Sequence, residues 1–124
     1  MLRLASARLA VALWLITAGS AGVPAAELTF DIKIVQDRIP DTKRLMRVHQ
    51  GDIVKLRWTS DRPLILHLHA YDIEERVAPG AVTEFAFTAD ATGRFPIQIH
   101  KPGTGAGAHA HAGVPLAIIE VHPR

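Results

Sequence analysis

The stretch "GDIVKLRWTSDRPLILHLHAYD", residues 51–72, decides the fold. Between Ile53 and Thr59 the apolar side chains of Val54, Leu56 and Trp58 alternate with Lys55 and Arg57, and a period of two marks a half-buried strand. The cluster "TSDRP" at 59–63 then interrupts the pattern with a proline whose fixed φ suits a reversal. Beyond it a second strand is expected from Leu64 to Tyr71. There Leu64, Leu66 and Leu68 share one parity while His67 and His69 take the other.

The same reading extends in both directions. Upstream, Leu28, Phe30, Ile32 and Ile34 alternate with Thr29, Asp31 and Lys33, and a short run follows at Arg44 to His49. Downstream come Val82 to Thr88, Arg94 to His100 and Leu116 to His122, separated by the turn clusters "VAPGA" and "ADATGR". No run of comparable length has a helical period. Seven short strands at this spacing predict an all-β Greek-key sandwich or barrel, with Trp58 at the centre of its core. Pro96 removes a ladder donor, so its strand is expected at a sheet edge or irregular at that point. The segment "HKPGTGAGAHAHAGVP", His100 to Pro115, is too rich in glycine and alanine for a strand and reads as a long loop, a kind that is often functional in small domains.

The first 25 residues form a separate unit. Arg3 and Arg8 precede an apolar run from Leu9 to about Ala18, and small residues follow up to Ala26. That is the pattern of a secretory signal peptide, with cleavage expected after Ala25, Ala26 offering a second choice. The apolar run is shorter than the roughly 20 residues a membrane span needs, so no span is expected after cleavage. Residues 26–124 are then one domain, periplasmic or secreted. Loss of the leader takes Arg3 and Arg8 with it and leaves 12 basic against 12 acidic residues, which removes the charge argument for a nucleic-acid partner. There is no cysteine, so disulfides, thiolate ligands and thiol nucleophiles are excluded together. A domain this small without staples depends on apolar burial.

Histidine carries what chemistry the sequence offers. All seven histidines follow the leader, and five are grouped: His67 with His69, His100, and His109 with His111. Two residues apart on an extended strand means one face and a separation of roughly 7 Å, which lets two imidazoles approach one ion. Neutral imidazole suits copper(II) or zinc in a site of three or four ligands. His67, His69 and His100 are the expected triad, with His109 and His111 closing over it or binding a second ion. Asp72 and Glu74 are carboxylates within reach in sequence to orient an imidazole N–H. The competing reading is that these histidines are the polar side of an ordinary sheet. His49, before a turn, and His122, near the end of the last strand, are expected to be surface residues.

Four segments carry a resemblance to a known family: "VHQGDIVKLRWTSD", "HLHAYDIEERVAPG", "FTADATGRFPIQIH" and "LAIIEVHP". On these the chain, over most of Leu28 to Val121, resembles the cupredoxin-like domains, whose members include plastocyanin, azurin and the copper domain of cytochrome oxidase. The resemblance implies that His67 corresponds to the family's first copper ligand. Gly93, Phe95 and Ile97 keep the rhythm of the strand that leads to the remaining ligands, but Ile99 falls where the family has its cysteine. His100 lies one residue beyond, and the loop that follows holds His109 and His111 but no methionine. A blue copper site requires the thiolate, so neither the colour nor the tuned electron transfer is expected.

Enzyme signatures are lacking. No G-x-S-x-G elbow is present, the glycines of "GTGAG" are not followed by a strand-to-helix transition, and the adjacent Glu74 and Glu75 point to opposite faces of any strand. Cleavage would expose Ala26 or Glu27, which excludes an N-terminal histidine brace. A histidine-only copper site with open positions that activates oxygen is the minor enzymatic alternative. The sequence therefore predicts an exported, non-enzymatic, metal-handling cupredoxin-like protein whose partners are a metal ion and another envelope protein as donor or acceptor. A metal-free β-sandwich serving as a binding or structural module is the rival.

Overall fold

A computed structural model describes residues 19, 22–101 and 113–124. Most of the expected leader, and both His109 and His111, lie outside the described residues. The alternating runs form eight strands: β1 (Glu27–Ile34), β2 (Leu45–His49), β3 (Ile53–Ser60), β4 (Leu64–Leu68), β5 (Ile73–Val77), β6 (Thr83–Thr88), β7 (Gly93–His100) and β8 (Ala117–His122). They assemble into two mixed sheets, one ordered β1-β3-β6 and the other β2-β8-β7-β4-β5. β1 runs parallel to β3 and β2 parallel to β8, and the other ladders are antiparallel.

The inward parity of each strand builds the core. Val54, Leu56 and Trp58 of β3 face Leu64, Leu66 and Leu68 of β4, Ile97 of β7 and Ile119 of β8 across the sandwich, all essentially fully buried. Trp58 is 0% exposed and stacks on Phe85 at 6.2 Å between ring centroids. The outward parity of the smaller sheet pairs its charges in register. Arg57 lies opposite both Asp31 and Glu84 and reaches them at 3.0 and 3.4 Å. Exposed pairs of this kind contribute little stability; a one-residue slip is opposed instead because it would turn Val54, Leu56 and Trp58 away from the core.

The structure departs from the sequence reading in two places. The run expected from Leu64 to Tyr71 ends at Leu68: His69–Tyr71 is a single 3-10 turn, and Asp72 takes a left-handed conformation at φ 52°. The chain thereby reverses, and Ile73–Val77 pairs back on β4 as an eighth strand. Neither glycine nor proline marks that reversal; an aspartate, which tolerates the left-handed region better than most residues, makes it. The second concerns β7, which lies inside the larger sheet between β8 and β4 and is not an edge strand. Its pairing with β4 covers only Gln98 to His100, so on that side no strand lies opposite Pro96 to require the missing N–H.

Candidate metal centre

His67 stands on the outer face of the larger sheet, between Leu66 and Leu68 whose side chains are sunk in the core. Its register partners are Glu74 on β5 and Gln98 on β7. Residues directly opposite share a face, and so do residues two apart on one strand. His100, two beyond Gln98 and opposite Ile65, is therefore the diagonal neighbour of His67. Its Nε2 lies 3.3 Å from His67 Nδ1, with ring centroids 5.4 Å apart. Both rings are half-buried.

His69 arrives by a different route from the one its spacing predicts. It does not continue the strand but opens the 3-10 turn, which is anchored through Tyr71 packed 4.4 Å from Phe87 and 5.5 Å from Phe95. Its exposed ring nonetheless stands edge-on to His67, again with 5.4 Å between centroids. His67 is thus the hub that both other rings approach. Glu74 is its cross-strand neighbour, whereas Asp72 is committed to the turn.

The chemistry of this donor set suits nitrogen-binding ions. Two ligands at about 2.0–2.1 Å from one tetrahedral ion are roughly 3.3 Å apart, the separation between His67 Nδ1 and His100 Nε2. Without an ion the same approach is a hydrogen bond between one protonated and one bare ring nitrogen. Among the described residues, no three His, Asp or Glu side chains as placed surround a common ion position. A type 1 copper centre does not fit these residues. Ile99, where the family resemblance puts the cysteine, pairs with Leu66 and packs against the core, one parity away from the histidines.

The remaining ionisable groups form two networks the sequence did not announce. Glu120 on β8 is 2.8 Å from Arg94, 2.8 Å from His122 and 3.4 Å from Arg47. Burial pushes its carboxyl up, but Arg94, His122 and Arg47 together outweigh that and hold it below its ordinary value. His122 is thereby tied down by Glu120 and lies 6.0 Å from the ring of the exposed His49. Asp52, read in the sequence only as part of a turn, is buried and paired with Arg124.

The sequence matches no family model and no curated protein. Solved structures do match. The periplasmic domain of subunit II of cytochrome oxidase from Bradyrhizobium japonicum superposes with a TM-score of 0.60 at 22% identity, over 82% of this chain and 88% of that one. A chain of a heme-copper terminal oxidase dimer gives a TM-score of 0.58 at 17% identity over 76% of this chain, which spans 64% of the oxidase chain. The copper-containing nitrite reductase of Thermus scotoductus SA-01 gives 0.56 at 24% identity over 82% of this chain, but only 28% of the enzyme is covered.

Proposed function

From the premise that this chain is a cupredoxin-like domain, we propose that it is an exported metal-handling protein that binds copper(II), or less specifically zinc, through His67, His69 and His100. It acts as a buffer or as a donor to another protein of the periplasm or the cell exterior. The observation that carries this reading is the 3.3 Å approach of His100 Nε2 to His67 Nδ1 from a separate strand, with the His69 ring alongside. The sheet fixes two of the rings before any ion arrives, which lowers the entropy cost of assembling the site. His109 and His111 are proposed as auxiliary ligands.

A bound copper(II) ion would supply a positive centre for imidazole and solvent to coordinate, without the thiolate that tuned electron transfer requires. This chain's residues bind and orient: His67 and His100 offer nitrogens from rigid strands, His69 supplies a more adaptable third, and Glu74 and Gln98 flank His67. The role proposed for this set is that of a carrier. The second reading, a metal-free binding module, draws on the fact that no three-ligand set is complete as the described side chains stand.

One equivalent of copper(II) added to the purified protein separates the two. A site that prefers the folded state raises the melting temperature by mass action, and that rise is expected to vanish in the double variant His67→Ala, His69→Ala. No rise, or a rise the double variant keeps, refutes the metal reading. Ligating imidazoles must be neutral, and imidazole in general titrates near 6.5. Release is therefore expected below about pH 6, and binding retained at pH 4 would implicate carboxylates.

A further inference from the structure

Asp52 is a carboxylate at 2% exposure inside an apolar fold. Buried charges persist where they are paired and hydrogen-bonded, and this one has a partner in its own turn and two from distant parts of the chain. Oδ2 accepts the His49 N–H at 2.8 Å, within the turn that leads into β3. Oδ1 accepts the Ala26 N–H at 3.0 Å and is ion-paired with Arg124 Nη2. The Ala26 carbonyl in turn accepts the Ile53 N–H at 2.9 Å. Ala26 is therefore tied through both of its backbone groups, one step before β1 begins. Residues 22–25 just ahead of it are exposed. Their carbonyls at Val23 and Pro24 accept hydrogen bonds from Arg124 Nη1.

The two cleavage bonds read from the sequence flank this residue and have opposite consequences. Hydrolysis of the Ala25–Ala26 bond places the hydroxyl of water on the Ala25 carbonyl carbon and its hydrogen on the Ala26 nitrogen. The amine then takes up a solvent proton, since an α-amino group titrates near 7.7–8.0. The resulting ammonium stands where the amide stood, so a neutral donor to Asp52 becomes a charge-assisted one. Hydrolysis one bond later removes the Ala26 N–H and carbonyl together, and both Asp52 and the Ile53 amide lose a partner.

We propose that the leader is removed at the Ala25–Ala26 bond and that the α-ammonium of Ala26 thereby becomes a structural partner of Asp52 in the mature fold. The N–H groups of Ala26 and then of His49 already hold the Asp52 carboxyl below its ordinary range, against its burial and with help from Arg124 and His49. Arg124 shares this carboxylate. On cleavage it gives up the Val23 and Pro24 carbonyls and keeps that of Gln50, 2.9 Å from its Nε. This inference is independent of the metal reading.

The full chain, exported from a bacterial host, is the material for the test. Intact mass and N-terminal sequencing are expected to show a product that begins at Ala26; a start at Glu27, at any other residue, or at Met1 overturns the proposal. Selective acetylation of the α-amino group of that product is expected to lower its melting temperature by several degrees. The same treatment of Asp52→Asn should produce no such drop, and an equal drop in both proteins would deny the pairing. If Asp52→Asn does not fold, a chain that starts Met-Lys directly before Ala26, whose bulky second residue keeps the Met from being trimmed, replaces it. That chain keeps the amide donor without the ammonium at residue 26, so it is expected to melt below the exported product. Equal melting would overturn the pairing.

Discussion

His67 is the residue on which both neighbouring imidazoles converge, at 5.4 Å each. His67→Ala is therefore expected to cost the most copper(II) affinity of the three single substitutions, as read by titration against a competing chelator. His69→Ala should cost less, because that ring is exposed and held only through a 3-10 turn. Parity made His67 legible in the sequence: a histidine among alternating leucines has to face away from the core. The diagonal placement of His100 was not legible, because it depends on the register of β7 against β4, which one strand's pattern does not reveal. At the other extreme of burial, Trp58→Ala removes the largest fully buried side chain among the described residues. It is expected to cost about 3–5 kcal/mol in urea unfolding. A cost under about 1 kcal/mol would mean that the core is not built around this ring.

The hairpin that joins β4 to β5 sets where His69 and Glu74 stand, and it turns on Asp72 at positive φ. Asp72→Gly relieves a left-handed strain and is expected to change stability by no more than about 1 kcal/mol, in the stabilising direction. Asp72→Val forces a β-branched side chain into the same conformation and should destabilise by about 1–2 kcal/mol. Denaturant unfolding of the pair checks both signs; a neutral valine variant would contradict the turn as described. This element also shows why the strand count fell one short. Proline and glycine mark the turns at "TSDRP" and "VAPGA", which separate β3 from β4 and β5 from β6. A reversal made by "HAYD" carries no such mark, and "IEERV" is too polar to stand out as a strand when only its ends are half-buried or buried.

For the molecule as a whole, acid stability follows from two carboxylates that are held below their ordinary values, Asp52 and Glu120. A group whose folded pKa is depressed binds fewer protons folded than unfolded, so its contribution is present above the unfolded value and lost as pH falls through the folded one. Stability is expected to hold down to about the ordinary carboxylate values of 3.8 and 4.5 and to decline below them. Glu120→Gln should flatten that decline in thermal melts across the range; an unchanged slope would remove Glu120 from the account. The sandwich itself was legible because the core depends on a period of two repeated along the chain. The Asp52 cluster was not, since Ala26 and Arg124 are brought to the turn of His49 and Asp52 only by the assembled sheets.

The claim on which the functional reading rests is that imidazoles from β4 and β7 bind one ion. Pulsed electron paramagnetic resonance on the copper(II)-loaded protein counts coordinated imidazoles through their remote nitrogens. At least two equivalent imidazoles are predicted, with one lost in His100→Ala and the pattern abolished in His67→Ala. A spectrum with no imidazole modulation, or one unchanged by both substitutions, would contradict it.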